Sequence, residues 1–344
     1  MLIKAKDWQK NILDKDSSIN DAIKLLNASM SKIVLIIDEK KKLLGTITNG
    51  DIRRILIKGY TKKDSIIYAL NRKPVTTKIL NQKIILNLMI KNKINAIPLL
   101  RSNNRVVGLY LLGRNNEIKL NDTIIVIMAG GKGKRLLPLT RNIPKPMLKI
   151  SGKPMAERLL IKASNEGFKN FIFSVNYLHK KITSFFLDGK KWKTKIDYVV
   201  EKKPLGTAGS LSLLKLDKKI NKIIVINCDI VTKLKLRDFL VFHKSHKQIA
   251  TVASIIHETK NQFGIIKTKG SRLVEIVEKP VQKNYVNAGI YAFNKNILKY
   301  IPKNQKIDIN ELFRKIITKK KKIVVYPLHE PWTDVGMHND LKKI

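Results

Sequence analysis

Between residues 130 and 147 the chain carries side chains suited to holding phosphate. Gly130-Gly131-Lys132-Gly133-Lys134-Arg135 follows directly on an apolar run at 124–129. Glycines expose backbone N–H groups and let a chain approach phosphate closely. Lys132, Lys134 and Arg135 add positive charge, and an arginine takes phosphate bidentately. Further on, Lys145 stands between Pro144 and Pro146, whose stiff backbone would aim its ammonium at a fixed point. Spacing excludes two other phosphate loops. Gly-x-x-x-x-Gly-Lys-Ser/Thr fails because position 128 is Met and position 135 is Arg, and Gly-x-Gly-x-x-Gly fails because position 136 is Leu.

Other candidates lie downstream. Pro204-Leu205-Gly206-Thr207-Ala208-Gly209-Ser210 would open a helix with a glycine-rich N-terminus, which favours anions and close packing on a flat ligand. Asp229, in Asn227-Cys228-Asp229, follows an apolar strand pattern. Asp334 sits in Trp332-Thr333-Asp334-Val335-Gly336. A carboxylate at a strand end is well placed for a hard cation, although lone aspartates there are more often helix caps. Glu278-Lys279-Pro280 repeats the lysine-before-proline device, and Asn287-Ala288-Gly289-Ile290-Tyr291 follows it. A surface ion pair at Glu278 and a turn cap at Asn287 are the plain alternatives.

Taken together with Pro138-Leu139-Thr140 and Met147, these motifs resemble the signature of sugar-1-phosphate nucleotidyltransferases over residues 123–344. Lys134 departs from the small hydroxyl residue usual there. The resemblance implies catalytic roles for Arg135, Lys145 and Asp229. It implies nucleotide contacts from Ala129, Gly130, Gly131, Gly133, Lys134, Arg135, Glu201, Gly206 and Thr207. It implies sugar-phosphate contacts from Gly209, Glu278, Lys279 and Asn287, and one Mg²⁺ on Asp229 and Asp334. The substrates would be an NTP and a sugar 1-phosphate. An attacking sugar phosphate is already anionic, so positioning and electrostatics suffice without a general base. The Pro204-to-Gly209 form is similar to that of guanylyltransferases acting on mannose- or glucosamine-type phosphates. That favours GTP and glucosamine 1-phosphate, with mannose-1-phosphate guanylyltransfer or glucose-1-phosphate thymidylyl- or uridylyltransfer as alternatives.

These residues need a scaffold. From Thr123 the pattern alternates, with strands expected at 124–129, 171–175, 196–201, 223–227 and 249–256, and helices at 155–167, 178–186 and 236–245. Such βαβα alternation implies a mostly parallel sheet covered on both faces, with ligands beyond the carboxyl ends of its strands. The segments 264–269, 271–278 and 286–293 read as antiparallel and are expected to lie over the site. The resemblance implies a Rossmann-like, GT-A-like mixed sheet.

The first 118 residues form an approximate α/β repeat, and two such copies are expected to pack on each other. They resemble a tandem pair of cystathionine-β-synthase (CBS) regulatory repeats. In the first copy Gly45, Thr48 and Asp51 fit the family pattern, implying that Thr48 and Asp51 hold an adenine nucleotide. The second copy has Leu111 and Arg114 after Gly108, where a hydroxyl and an acid would stand. A spacing or oligomerising module without a ligand is the alternative. A CBS pair ahead of a short transferase is also the layout of guanylyltransferases of nonulosonic (legionaminic) acid pathways. The expected class is α/β, with a CBS module at 1–118, a catalytic domain at 119–344 and a polar linker at 115–122. An inactive nucleotide sensor is the reading of another class, opposed by the intact charged set.

Composition bounds the rest. The chain has 344 residues, and Lys plus Arg outnumber acids 69 to 26, for a formal charge of +43. The excess is mostly lysine spread along the chain, without the aromatic-interleaved or zinc-finger patterns of nucleic-acid binders. It would draw anionic substrates and oppose self-association at low salt. A single cysteine excludes a disulfide framework. Apolar runs are strand-sized, and the first ten residues lack a secretory pattern. A cytoplasmic homo-oligomer without membrane or nucleic-acid partners is expected.

Overall fold

The structure, a computed structural model, describes residues 2–29, 31–112 and 120–341. Arg114 and positions 115–119 of the expected linker lie outside the described residues. Two compact units, Met1–Glu117 and Ile118–Ile344, divide the chain.

The first unit contains β1 (Leu2–Lys4), β2 (Ile12–Leu13), α1 (Ile19–Ala28), β3 (Ile33–Ile37), β4 (Leu43–Thr48), α2 (Asn49–Ile57), α3 (Gln82–Asn92), β5 (Ala96–Leu100) and β6 (Val106–Leu112). Its strands make two three-stranded sheets, β2-β3-β4 and β1-β6-β5. Ile33 and Leu35 of one share a core with Leu100, Val106 and Leu109 of the other. That shared cluster is the packing expected of two α/β copies that bury apolar surface against each other.

The second unit contains β7 (Thr123–Met128), β8 (Lys149–Ile150), β9 (Lys153–Pro154), α4 (Met155–Asn165), β10 (Asn170–Val175), α5 (His179–Phe186), β11 (Lys195–Val200), α6 (Gly206–Gly209), β12 (Lys222–Asn227) and β13 (Ile230–Thr232). It continues with α7 (Leu236–His246), β14 (Ala250–Lys260), β15 (Ile265–Lys269), β16 (Arg272–Val277), β17 (Val281–Asn294), α8 (Ile309–Thr318), β18 (Ile323–Pro327) and β19 (Trp332–Asp334). Seven strands form one mixed sheet in the order β11-β10-β7-β12-β17-β14-β18. All run one way except β17, which is antiparallel to both neighbours. The inner strands are apolar on both faces because both are covered. Ile125, Ile127, Phe173 and Ile226 pack toward one cluster, and Ile124, Val126, Ile223 and Val225 toward the other.

One expectation is corrected here. Residues 286–293 do not lie over the site, because β17 is inserted between β12 and β14 as an interior strand. Its second half, from Ala288 to Phe293, is buried, while its first half, paired with β14 and not with β12, is exposed. Of the three segments, 264–269 and 271–278 stand apart from the large sheet, where β15 and β16 form a two-stranded ribbon.

Candidate functional site

A cavity of about 390 Å³ opens at the carboxyl ends of β7, β11 and β12. That size suits a small-molecule ligand, and that place is where open α/β sheets bind one. Its lining includes Gly130, Gly131, Gly133, Lys134 and Arg135 after β7, Glu201 after β11, and Asp229 after β12. Lys145, Gly206 and Thr207 complete the sequence-derived residues that meet there.

The glycine loop is shaped by contacts that a side chain would break. Gly133 has φ +62°, and a Cβ there would stand 2.8 Å from Thr140 Cγ2 and 3.1 Å from Lys145 Cβ. The buried Thr140 hydroxyl donates to the Gly133 carbonyl at 2.9 Å, tying the loop to the segment that leads into the Pro144-Lys145-Pro146 turn. Gly131 has open space around it, which leaves its backbone free to meet a ligand. Lys134 lines the cavity and Lys132 does not. Ala129 is buried behind the loop.

Glu201 is buried and holds the far wall. Ser174 Oγ donates to one carboxylate oxygen at 2.9 Å and the Leu205 N–H to the other at 3.0 Å. Beyond it, α6 is only four residues long, and its first N–H groups are already engaged. Thr207 N–H reaches Asp308 Oδ1 at 3.2 Å, and those of Ala208 and Gly209 reach the Ile307 carbonyl. The helix N-terminus read from the sequence as an anion site is therefore a packing joint. Thr207 Oγ1 in turn accepts from Ile309 N–H, so the starts of α6 and α8 exchange caps. Gly206, at φ +78°, is required because a Cβ would stand 2.5 Å from Asp308 Oδ1. Gly209 is pressed against the Gln305 carbonyl and does not line the cavity.

The acidic pair is held by backbone. β13 and β19 run antiparallel with Ile230 opposite Asp334, and Val335 N–H donates to the Asp229 carbonyl at 3.0 Å. Lys145 donates to Asp229 Oδ2. Asp229 Oδ1 is buried without a hydrogen-bond partner. Burial, and then the neighbouring Asp229 charge, hold the Asp334 carboxyl above the usual carboxylate range, with Lys145 and Arg135 pulling it back. Arg135 Nη1 and Asp334 Oδ1 lie 3.5 and 3.6 Å from the Cβ that Gly336 lacks, so both groups converge on that glycine. Burial pushes the Cys228 thiol up, which makes it an unreactive wall.

Two carboxylates with one oxygen left unpartnered suit a hard divalent cation, of the kind held by one or two carboxylates plus phosphate oxygens. Among the described residues no group of three or more His, Cys, Asp or Glu is placed to hold a metal.

The remaining candidates are elsewhere. Glu278 and Lys279 pair with each other at 3.9 Å, are mostly exposed, and do not line the cavity. Asn287 is spent locally, donating to Tyr291 Oη at 2.8 Å and accepting from Gly289 N–H at 3.0 Å. In the first unit Thr48 and Asp51 form a capping box at the start of α2. Asn227 and Asp308 line the cavity and were missed by sequence reasoning. Asp308 stands just before an amphipathic helix and reads as its N-cap. Asn227 stands two residues ahead of Asp229 in a motif that drew attention only for its acid.

Comparison with known proteins fits this geometry. The nucleotidyl transferase family model matches residues 124–344, and the CBS domain model matches residues 11–58. The mannose-1-phosphate guanyltransferase of Pichia angusta is 33% identical over 223 residues, covering 62% of this chain and 61% of that protein. The mannose-1-phosphate guanylyltransferase of Mycobacterium tuberculosis is 30% identical over 220 residues, with the same coverage. The chain thus spans 61% of the length of these curated relatives. A crystal structure from Bacillus anthracis, assigned as a glucose-1-phosphate thymidylyltransferase, superposes with TM-score 0.53 at 22% identity, over 64% of this chain and 93% of that one. That likeness is one of fold. The chain belongs to the nucleotidyl transferase family, whose members typically use a divalent metal, and carries a CBS domain ahead of the transferase region.

Proposed function

We propose that this chain transfers a nucleoside monophosphate from an NTP to a sugar 1-phosphate and releases pyrophosphate. The observation that carries the reading is the meeting, in one cavity, of the glycine loop, Arg135, Lys145 and Asp229, with Asp334 paired across β13 and β19. A cradle for phosphates, two cations and an acidic pair supply what phosphoryl transfer needs, and no nucleophile–histidine couple is required.

A sugar phosphate oxygen forms the new bond to the α-phosphorus. The bond from that phosphorus to the bridging oxygen breaks, and pyrophosphate leaves with the electron pair. Backbone N–H groups of the glycine loop hold the triphosphate. Arg135 neutralises the departing pyrophosphate. Lys145 serves the α-phosphate from its position beside Asp229. Asp229 and Asp334 would hold Mg²⁺, which would supply positive charge to offset that of the phosphate groups. On the sugar phosphate side the resemblance assigns Gly209, Glu278, Lys279 and Asn287, all of which lie outside the lining of the cavity in this structure. Glu201, Gly206 and Thr207 border the nucleoside.

GTP is the favoured donor and glucosamine 1-phosphate the favoured acceptor, in a layout that suits nonulosonic acid synthesis in the cytoplasm. The guanyltransferase relatives support the base, and their names support mannose 1-phosphate as the first rival acceptor. A panel of GTP, UTP, dTTP and ATP against sugar 1-phosphates, scored by pyrophosphate release, tests the reading. Release with none of the pairs sinks it. A second reading, adenine-nucleotide binding by the N-terminal unit, is favoured by the CBS match, and repeating the panel with AMP or ATP tests it.

A further inference from the structure

We infer that Asn227 supplies a third oxygen ligand, through its side-chain carbonyl, to the divalent cation held by Asp229 and Asp334. The inference rests on the metal assignment proposed above. Asn227 closes β12 and lines the cavity two residues before Asp229. Its Oδ1 is buried with no hydrogen-bond partner, like Oδ1 of Asp229. Two buried unpartnered acceptors in one cavity are costly unless something meets them. A single donor would satisfy one of them, whereas a hard cation takes several oxygens at once.

The amide is seated for that role. Gly289 lies opposite the end of β12, and a Cβ there would stand 2.9 Å from Asn227 Nδ2. The missing side chain admits the NH₂ end of the amide against β17 and leaves Oδ1 as the end turned the other way. Gly289 holds φ +70°, a conformation that also excludes most other residues. An amide suits the position for an electrostatic reason as well. Asp229 and Asp334 already bring two like charges together. A neutral carbonyl adds an oxygen without adding a third.

The test uses the full chain and Mn²⁺ alone, with affinity read by electron paramagnetic resonance and bound water by proton relaxation. Asn227→Ala is expected to weaken Mn²⁺ binding about tenfold and to add one exchangeable water to the bound ion. Asn227→Asp, which raises the ligand charge, is expected to tighten binding about tenfold. Should Asn227→Ala fail to fold, Asn227→Asp decides by itself. Unchanged Mn²⁺ affinity and water count in the folded variants, with weaker sugar 1-phosphate binding, would overturn the inference and make Asn227 a substrate contact. Asp229→Asn is the control. If it too binds Mn²⁺ normally, the metal assignment fails and the inference falls with it. If Asp229→Asn loses Mn²⁺ while Asn227→Ala keeps it, only the role of Asn227 is lost.

Discussion

Asp51 and Asp229 were both singled out in the sequence as carboxylates that could hold a ligand, and the structure treats them in opposite ways. Asp51 Oδ2 accepts from Thr48 N–H at 2.9 Å and from the Thr48 hydroxyl at 2.7 Å, and its Oδ1 accepts from Arg54 at 2.9 Å. Each of its oxygens is met by a residue within one helical turn. Asp229 has Lys145 on one oxygen, eighty-four positions away in sequence, and nothing on the other. A buried acceptor left open costs stability, so a fold keeps one where a ligand repays it. A motif names the residue type. Whether the carboxylate is open or closed depends on what the fold brings to it.

The strongest attempt to break this contrast is Asp229→Asn. The amide keeps the shape, so a cooperative thermal transition is expected to remain. Turnover, measured as pyrophosphate release with the best substrate pair, is expected to fall on the order of 10³-fold. Ordinary turnover at ordinary Mg²⁺ would mean that the open oxygen serves nothing.

The same accounting explains what the sequence disclosed and what it withheld. The loop from Gly130 to Arg135 and the Pro144-Lys145-Pro146 turn were legible because their chemistry is local. Glycine, proline and charge act within a few residues. The alternation of β7, α4, β10 and α5 was legible because periodicity is local too. The position of β17 was not, since insertion between β12 and β14 depends on partners far away in the chain. The sign was present in the apolar stretch from Ala288 to Phe293, which reads as a strand buried on both faces. Asp308 was hidden for a similar reason. It looks like a cap for its own helix, and its carboxylate instead serves Thr207, one hundred and one positions away.

His243 sharpens the comparison by giving a closed polar group inside the transferase unit. It is buried, with Nδ1 at 2.8 Å from Thr251 Oγ1 and Nε2 at 3.1 Å from Asn294 Oδ1. Burial lowers its pKa to about 4, against a small upward pull from the Asn294 hydrogen bond. Above pH 6.5 the ring is neutral folded and unfolded, so it contributes no pH dependence. Between pH 6.5 and about 4 the unfolded chain takes up a proton that the folded ring refuses, and stability falls by about 1.4 kcal/mol per pH unit. The loss over that window is about 3 kcal/mol for this group. Denaturant titrations across the window are expected to show that slope in the wild type and a shallower one in His243→Gln. Parallel slopes would mean that the ring is not held closed.

The smallest expected effect tests the closed side of the contrast directly. Thr48 caps α2, and Thr48→Ala removes the hydroxyl that Asp51 accepts from while leaving the carboxylate in place. Losing an N-cap hydroxyl costs about 1 kcal/mol, read as a lower midpoint for the N-terminal unit. Turnover at saturating substrate is expected to be unchanged. The informative measurement is the same midpoint with AMP or ATP added. If Thr48 and Asp51 act on each other, the cost of the substitution is equal with and without nucleotide. If they hold a ribose, the nucleotide stabilises the wild type and the substitution removes that gain. That outcome would require Asp51 to release Thr48 on binding. The first unit would then also contain an open carboxylate, one that its own helix cap occupies until the ligand arrives.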